Sequence, residues 1–83
     1  MSDRNREEDL LALGRALRQL RRQQGLSQEQ LAERVGIHAG YISRIERGHR
    51  GIQWLTLRRF LAALETDLQD FVVALERAEH ECQ

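Results

Sequence analysis

The chain has 83 residues, no proline, one cysteine, and 13 basic residues against 13 acidic ones. A chain of this size forms one small domain that buries only about 60% or slightly more of its unfolded surface, so its core must be compact and a second subunit would add stability. No apolar run is long enough for a membrane span, the opening MSDRNREEDL is too charged for a signal peptide, and the lone Cys82 cannot close an internal disulfide; the expected location is the cytoplasm.

Leu10, Leu13, Leu17 and Leu20 recur at helical spacing and predict an amphipathic helix from about Glu7 to Gln24, stopped by Gly25. Its acidic first turn (Glu7, Glu8, Asp9) and basic last turn (Arg21, Arg22) suit the helix dipole. In LSQEQLAERVG, Ser27 and Gln30 have the spacing of a capping box, and Leu26 can staple onto Leu31. A second helix therefore starts at Gln28 and runs to about Val35, where Gly36 supplies the left-handed conformation that ends helices. Tyr41, Ile42 and Ile45 begin a third pattern almost at once, giving a short helix from about Ala39 to Arg47 that ends before Gly48. Two short helices joined by a tight glycine turn form a helix-turn-helix.

Trp54, Leu57, Phe60, Leu61 and Leu64 mark a fourth helix, with Trp54 expected in the core beside Leu57 and Leu61. Thr66 and Gln69 have the spacing of a second capping box, opening a fifth helix with Leu68, Phe71, Val72 and Leu75 on one side. The fold class is all-α: a single five-helix domain over residues 1–83, with a flexible N-terminus at 1–8, a four-helix core over 9–65 and a C-terminal helix over 66–83.

The balanced charge hides a segregation. Between Leu10 and Arg59 ten arginines face only Glu29, Glu33 and Glu46, a surplus of +7. From Phe60 onward Arg77 stands against six acids, a surplus of −5. An arginine-rich half suits a polyanion, although the same residues also solvate helix faces. There is no lysine.

The stretches LGRALRQLR, GLSQEQLAERVGI, YISRIERG and TLRRFLAAL resemble the phage-repressor-like, or XRE, helix-turn-helix transcription regulators, over roughly Leu13 to Phe71. In that family Ala32 is the small residue where the two motif helices cross, Gly36 makes the turn, and Ile42 and Ile45 anchor the second helix. These roles agree with what the residue types allow. The resemblance also implies a partly buried salt bridge between Arg21 and Glu46, a bacterial and cytoplasmic protein, no cofactor, and double-stranded DNA as partner. The short chain looks like the controller proteins of restriction-modification systems, which have no small-molecule effector domain.

In this motif the second helix lies in the major groove with its N-terminal residues against base edges. With Ile42 and Ile45 facing inward, Ala39, Gly40, Ser43, Arg44 and Arg47 face out. Ala39, Gly40, Ser43 and Arg44 are the base-facing candidates. Family members often carry longer polar side chains at the positions of Ala39 and Gly40. A small first turn lets the helix sit deep, with Ala39 against a thymine methyl and Arg44 at guanine O6 and N7. The bland alternative is a tolerated helix glycine and an arginine that finds a phosphate. Gln28, His38, Tyr41, Arg47, His49 and Arg50 are the phosphate-facing candidates.

Phe71, Val72 and Leu75 exceed what a four-helix core needs and point to a homodimer on an inverted repeat, with the acidic tail turned from DNA. His80 and Cys82 are too few for a metal site, and no nucleophile, base and acid fall together, so no metal and no enzyme are expected. The competing role is an antitoxin or protein-interaction adaptor on the same scaffold.

Overall fold

Every turn between the first four helices is prepared by a glycine in the left-handed region, where an L side chain is disfavoured. The computed structural model describes residues 6–81; residues 1–5, which make up most of the expected flexible terminus, and Cys82 lie outside that range. It contains α1 (Arg6–Gln23), α2 (Gln28–Val35), α3 (Ala39–Glu46), α4 (Trp54–Ala63) and α5 (Leu68–Glu81), with no strand among the described residues. Helix α1 thus begins at Arg6, inside the segment 1–8 expected to be flexible.

Gly25 (φ +69°) closes α1, with its N–H on the Arg22 carbonyl and the Leu26 N–H on the Arg21 carbonyl, the paired bonds of a Schellman end. Gly48 (φ +77°) closes α3 by the same device, one residue earlier than expected, since Arg47 already occupies the cap position. At the start of α2 the capping box is complete: Ser27 Oγ accepts from the Gln30 N–H at 3.0 Å, and the Gln30 side chain accepts from the Ser27 N–H at 2.8 Å.

The expected Thr66–Gln69 box does not form. Asp67 caps α5, its Oδ1 accepting from the Asp70 N–H at 2.8 Å, while Thr66 Oγ1 donates to Asp70 Oδ2 at 3.4 Å. A carboxylate at the cap is at least as good an acceptor as a threonine hydroxyl, so the register moves by one residue.

Helix α1 is central, packing against α5 and α3; α2 packs against α3 and α4, and α4 against α5. The core is built from Leu17 and Leu20 of α1, Leu31 and Val35 of α2, Ile42 and Ile45 of α3, Phe60 and Leu61 of α4, and Phe71, Ala74 and Ala78 of α5. Small residues, Ala12 and Ala16, let α1 sit deep among its neighbours. Trp54 departs from expectation: it is 53% exposed. As the first residue of α4 it projects past the core and instead lines a shallow pocket of about 400 Å³ with Arg58, Leu61, Ala62 and Leu68. No helix among the described residues is long and apolar enough to cross a membrane.

Candidate nucleic-acid interface

Helix α3 is held from behind by a buried ionic network. Arg21 Nε donates to Glu46 Oε2 at 2.7 Å, one terminal nitrogen donates to Glu46 Oε1 at 2.9 Å, and the other donates to the Leu26 carbonyl at 2.7 Å. Both side chains are buried, so this two-pronged pair works in a low dielectric. Hydrogen bonding to Glu46 raises the Arg21 pKa above its ordinary value, with burial opposing. The pair that the family resemblance implies is therefore made, and Arg21 is structural rather than a free cation.

Gln28 joins this network. Its Nε2 donates to Glu46 Oε1 at 3.0 Å, which orients the amide toward α3 and leaves its second N–H for another acceptor. The bond has a simple cause: α2 opens beside the C-terminal end of α3, where the Glu46 carboxylate has acceptor capacity left after Arg21.

Gly14, a residue the sequence pattern did not single out, sits at the α1–α3 crossing. A Cβ there would collide with the carbonyl oxygens of Ile45 and Glu46, the second at 2.7 Å. Gly14 and Arg21 are seven residues apart on one face of α1, so a single stripe provides both the close approach and the ion pair. Ala32 is buried, and Gly36 makes the turn at φ +85°.

The outward side of α3 is less uniform than helical counting implies. Gly40 and Arg44, four residues apart, are exposed. A Cβ at Gly40 would meet nothing within 4 Å. Arg44 makes no side-chain hydrogen bond or ion pair among the described residues. Ala39 does not stand clear: as the first residue of the helix it is half-buried and packs against the core. Ser43 is also half-buried, and its carbonyl accepts from Arg47 Nε at 3.4 Å.

His38 occupies the cap position of α3 without a side-chain cap bond, so its exposed ring is not committed to the helix. Arg47, His49 and Arg50 are exposed around the end of α3. Tyr41 is half-buried against the core, and the Arg50 guanidinium carbon lies 4.2 Å from the centroid of its ring. Basic groups thus flank a bare, uncommitted helix surface, an arrangement suited to a polyanion that presents both edges and phosphates.

The acidic α5 spends part of its expected partner surface on the chain's own core. Phe71, 6% exposed, belongs to the chain's own core; Leu75 is half-buried against it, and Val72 is exposed. The larger exposed apolar side chains there are Leu68 and Val73 with Val72, and on α4 Trp54 and Leu55. The reason is rotational: α5 turns its 71, 74, 78 stripe toward α1 and α4 and leaves 68 and 72 outside. Among the described residues no three metal-ligating side chains stand together.

A helix-turn-helix domain family model matches residues 12–72. Among solved structures, the clp gene regulator ClgR from Corynebacterium glutamicum is similar at 30% identity, with 84% of this chain and 90% of that chain covered and a TM-score of 0.80. The restriction-modification controller protein C.AhdI from Aeromonas hydrophila is similar at 35% identity over 76% of this chain and 96% of that one, with a TM-score of 0.72. The controller C.Esp1396I, solved as a tetramer in complex with its natural 35-base-pair operator, shares 26% identity over 87% of this chain and 95% of that one, with a TM-score of 0.78. No curated protein matched the chain significantly.

Proposed function

Because the chain belongs to the helix-turn-helix domain family and is similar to a clp gene regulator and a restriction-modification controller protein, we propose that it binds an inverted-repeat operator as a homodimer, with α3 in the major groove. The observation that carries this reading is the pairing of two features on α3. Its inner end is locked by Arg21, Glu46 and Gln28, while Gly40 and Arg44 outside have no commitment to the fold. A rigid mount behind an uncommitted surface is what base reading requires.

Arg44 is the base reader, donating to guanine O6 and N7, and Gly40 lets the helix backbone approach closely. His38, Arg47, His49 and Arg50 face phosphates on either side. Ala39 and Ser43, each half-buried, contribute proximity rather than reach. Dimerisation uses the exposed apolar residues Trp54, Leu55, Leu68 and Val72, in place of the buried Phe71. The controller C.Esp1396I bound to its operator as a tetramer lends support to both the DNA partner and self-association. A DNA partner is consistent with a cytoplasmic protein.

The test is selection of the purified chain on a randomised duplex pool, followed by a salt titration on the winner. The expected winner is an inverted repeat with half-sites about one helical turn apart. Arg44→Ala should then lose about 1–3 kcal/mol of preference at one base pair while dimerisation is unchanged. Weak, sequence-blind binding that salt abolishes would sink the operator reading and favour a protein-interaction adaptor or antitoxin.

A further inference from the structure

The stack of Arg50 on Tyr41 joins two residues that sequence reasoning treated as independent phosphate donors. Tyr41 lies in the first turn of α3 and is held against the core, whereas Arg50 sits exposed in the connection to α4. The guanidinium carbon is 4.2 Å from the ring centroid, within cation–π distance, and Arg50 Nε donates to the Gly51 carbonyl at 3.3 Å. Gly51 is half-buried near α1: a Cβ built on it would lie 3.5 Å from Leu10 Cδ2.

From this geometry we infer that Tyr41 is a positioning residue that acts on DNA through Arg50, fixing the guanidinium beside α3 before any phosphate arrives. The inference rests on the DNA-binding reading above. An arginine free in a loop loses much rotamer freedom when it binds, and each ordered side chain of this kind weakens binding appreciably. Here the ring and the Gly51 carbonyl hold the side chain beforehand. The terminal nitrogens keep their donors for a phosphate, and a planar guanidinium can both stack and donate. The stack also links the phosphate-facing loop to the reading helix.

The alternative role for Tyr41 is direct donation from its hydroxyl to a phosphate, and substitution separates the two. Binding of the full-length chain to a labelled duplex of arbitrary sequence would be measured across a salt series for Tyr41→Phe, Tyr41→Leu, Arg50→Lys, Arg50→Ala and the Tyr41→Leu/Arg50→Ala pair, each first checked for cooperative thermal unfolding.

The expected results are affinity within about twofold of the parent for Tyr41→Phe, and a loss of about two- to fivefold for Tyr41→Leu, the range open to an exposed cation–π contact. Arg50→Lys, which keeps the charge and touches only the surface, loses a similar factor with an unchanged salt slope. Arg50→Ala lowers the salt slope by about 1. The double variant binds no worse than Arg50→Ala alone, because both changes remove one unit.

Two results would overturn the inference while leaving the DNA-binding reading intact: a Tyr41→Phe loss equal to that of Tyr41→Leu, or a Tyr41→Leu loss that adds fully to that of Arg50→Ala. If Tyr41→Leu does not fold, Tyr41→Phe decides, since a clear loss of affinity in that variant assigns Tyr41 to direct donation by its hydroxyl and overturns the inference. Arg50→Ala binding with unchanged affinity and slope would instead remove the loop from the interface altogether.

Discussion

Gly14 and Gly40 lie on opposite sides of the same helix contact, one inside α1 where it crosses α3, the other in the outward first turn of α3. Both are helix glycines, and each costs roughly 0.5–1 kcal/mol of helix stability relative to alanine. At Gly14 the fold demands the glycine, because a Cβ would run into the Ile45 and Glu46 carbonyls. At Gly40 the fold demands nothing, because the space is empty. The same residue type is therefore a packing requirement in one region and, in the other, a position that only something outside the monomer could require. The first region holds α3 still; the second is what it presents.

The strongest way to break the holding region is to remove Glu46. Glu46→Ala leaves the buried Arg21 guanidinium without its counter-charge and the Gln28 amide without its acceptor. Breaking one side of a buried pair typically costs about 3–5 kcal/mol, a large share of the stability of a small domain. Denaturant unfolding should show this loss. The paired change Arg21→Met with Glu46→Leu should recover most of it, since a well-packed apolar pair is often as stable as the ion pair it replaces. If the double variant is as unstable as the single, the network contributes through specific geometry and not merely by avoiding an orphan charge.

Gly14→Ala is the next test and attacks the crossing itself. Alanine would gain up to about 1 kcal/mol in an isolated helix. Against α3 it forces a backbone shift, and overpacking of this kind costs about 1–3 kcal/mol. The net expectation is a lower midpoint in thermal unfolding, together with weaker DNA binding, because the carbonyls displaced belong to the end of α3. A variant more stable than the parent would show that α1 and α3 can separate freely and that the crossing does not set the position of α3.

These two regions were not equally legible in the sequence. The helix-turn-helix was readable because its signals are local: Ser27 with Gln30, Gly36, and the Ile42–Ile45 pair each act within a few residues. The end of α4 carried no such signal. Glu65 adopts φ +52° and makes the Schellman end that glycine makes elsewhere, its N–H bonding the Ala62 carbonyl and that of Thr66 the Leu61 carbonyl. Gly14 was invisible for a different reason, since its necessity lies in a backbone more than 30 positions away along the chain. The exposure of Trp54 and the burial of Phe71 depend on how α4 and α5 rotate against the core, which a stripe of apolar residues does not specify. On the outer face, helical counting puts Gly40 and Arg44 on the exposed side, where they lie, but it does not show that Ala39 is half-buried or that Gln28 reaches Glu46, because neither the tilt of the first turn nor the reach of Glu46 is written in periodicity.

Gly40→Ala gives the smallest effect and separates the two regions most sharply. The position is helical, its φ is not left-handed, and an added methyl meets no atom of the chain within 4 Å. The folded protein should therefore gain roughly 0.5–1 kcal/mol, the ordinary difference between the two residues in a helix, seen as a small rise in the unfolding midpoint. The operator complex should respond in the opposite direction, because the methyl group occupies space that α3 needs when its backbone approaches the groove. A stabilised variant that binds its operator less tightly would mean that glycine is kept for the complex at the expense of the free domain. A stabilised variant with unchanged affinity and base preference would instead leave recognition to Arg44 and the flanking phosphates, with the first turn of α3 standing clear of the DNA.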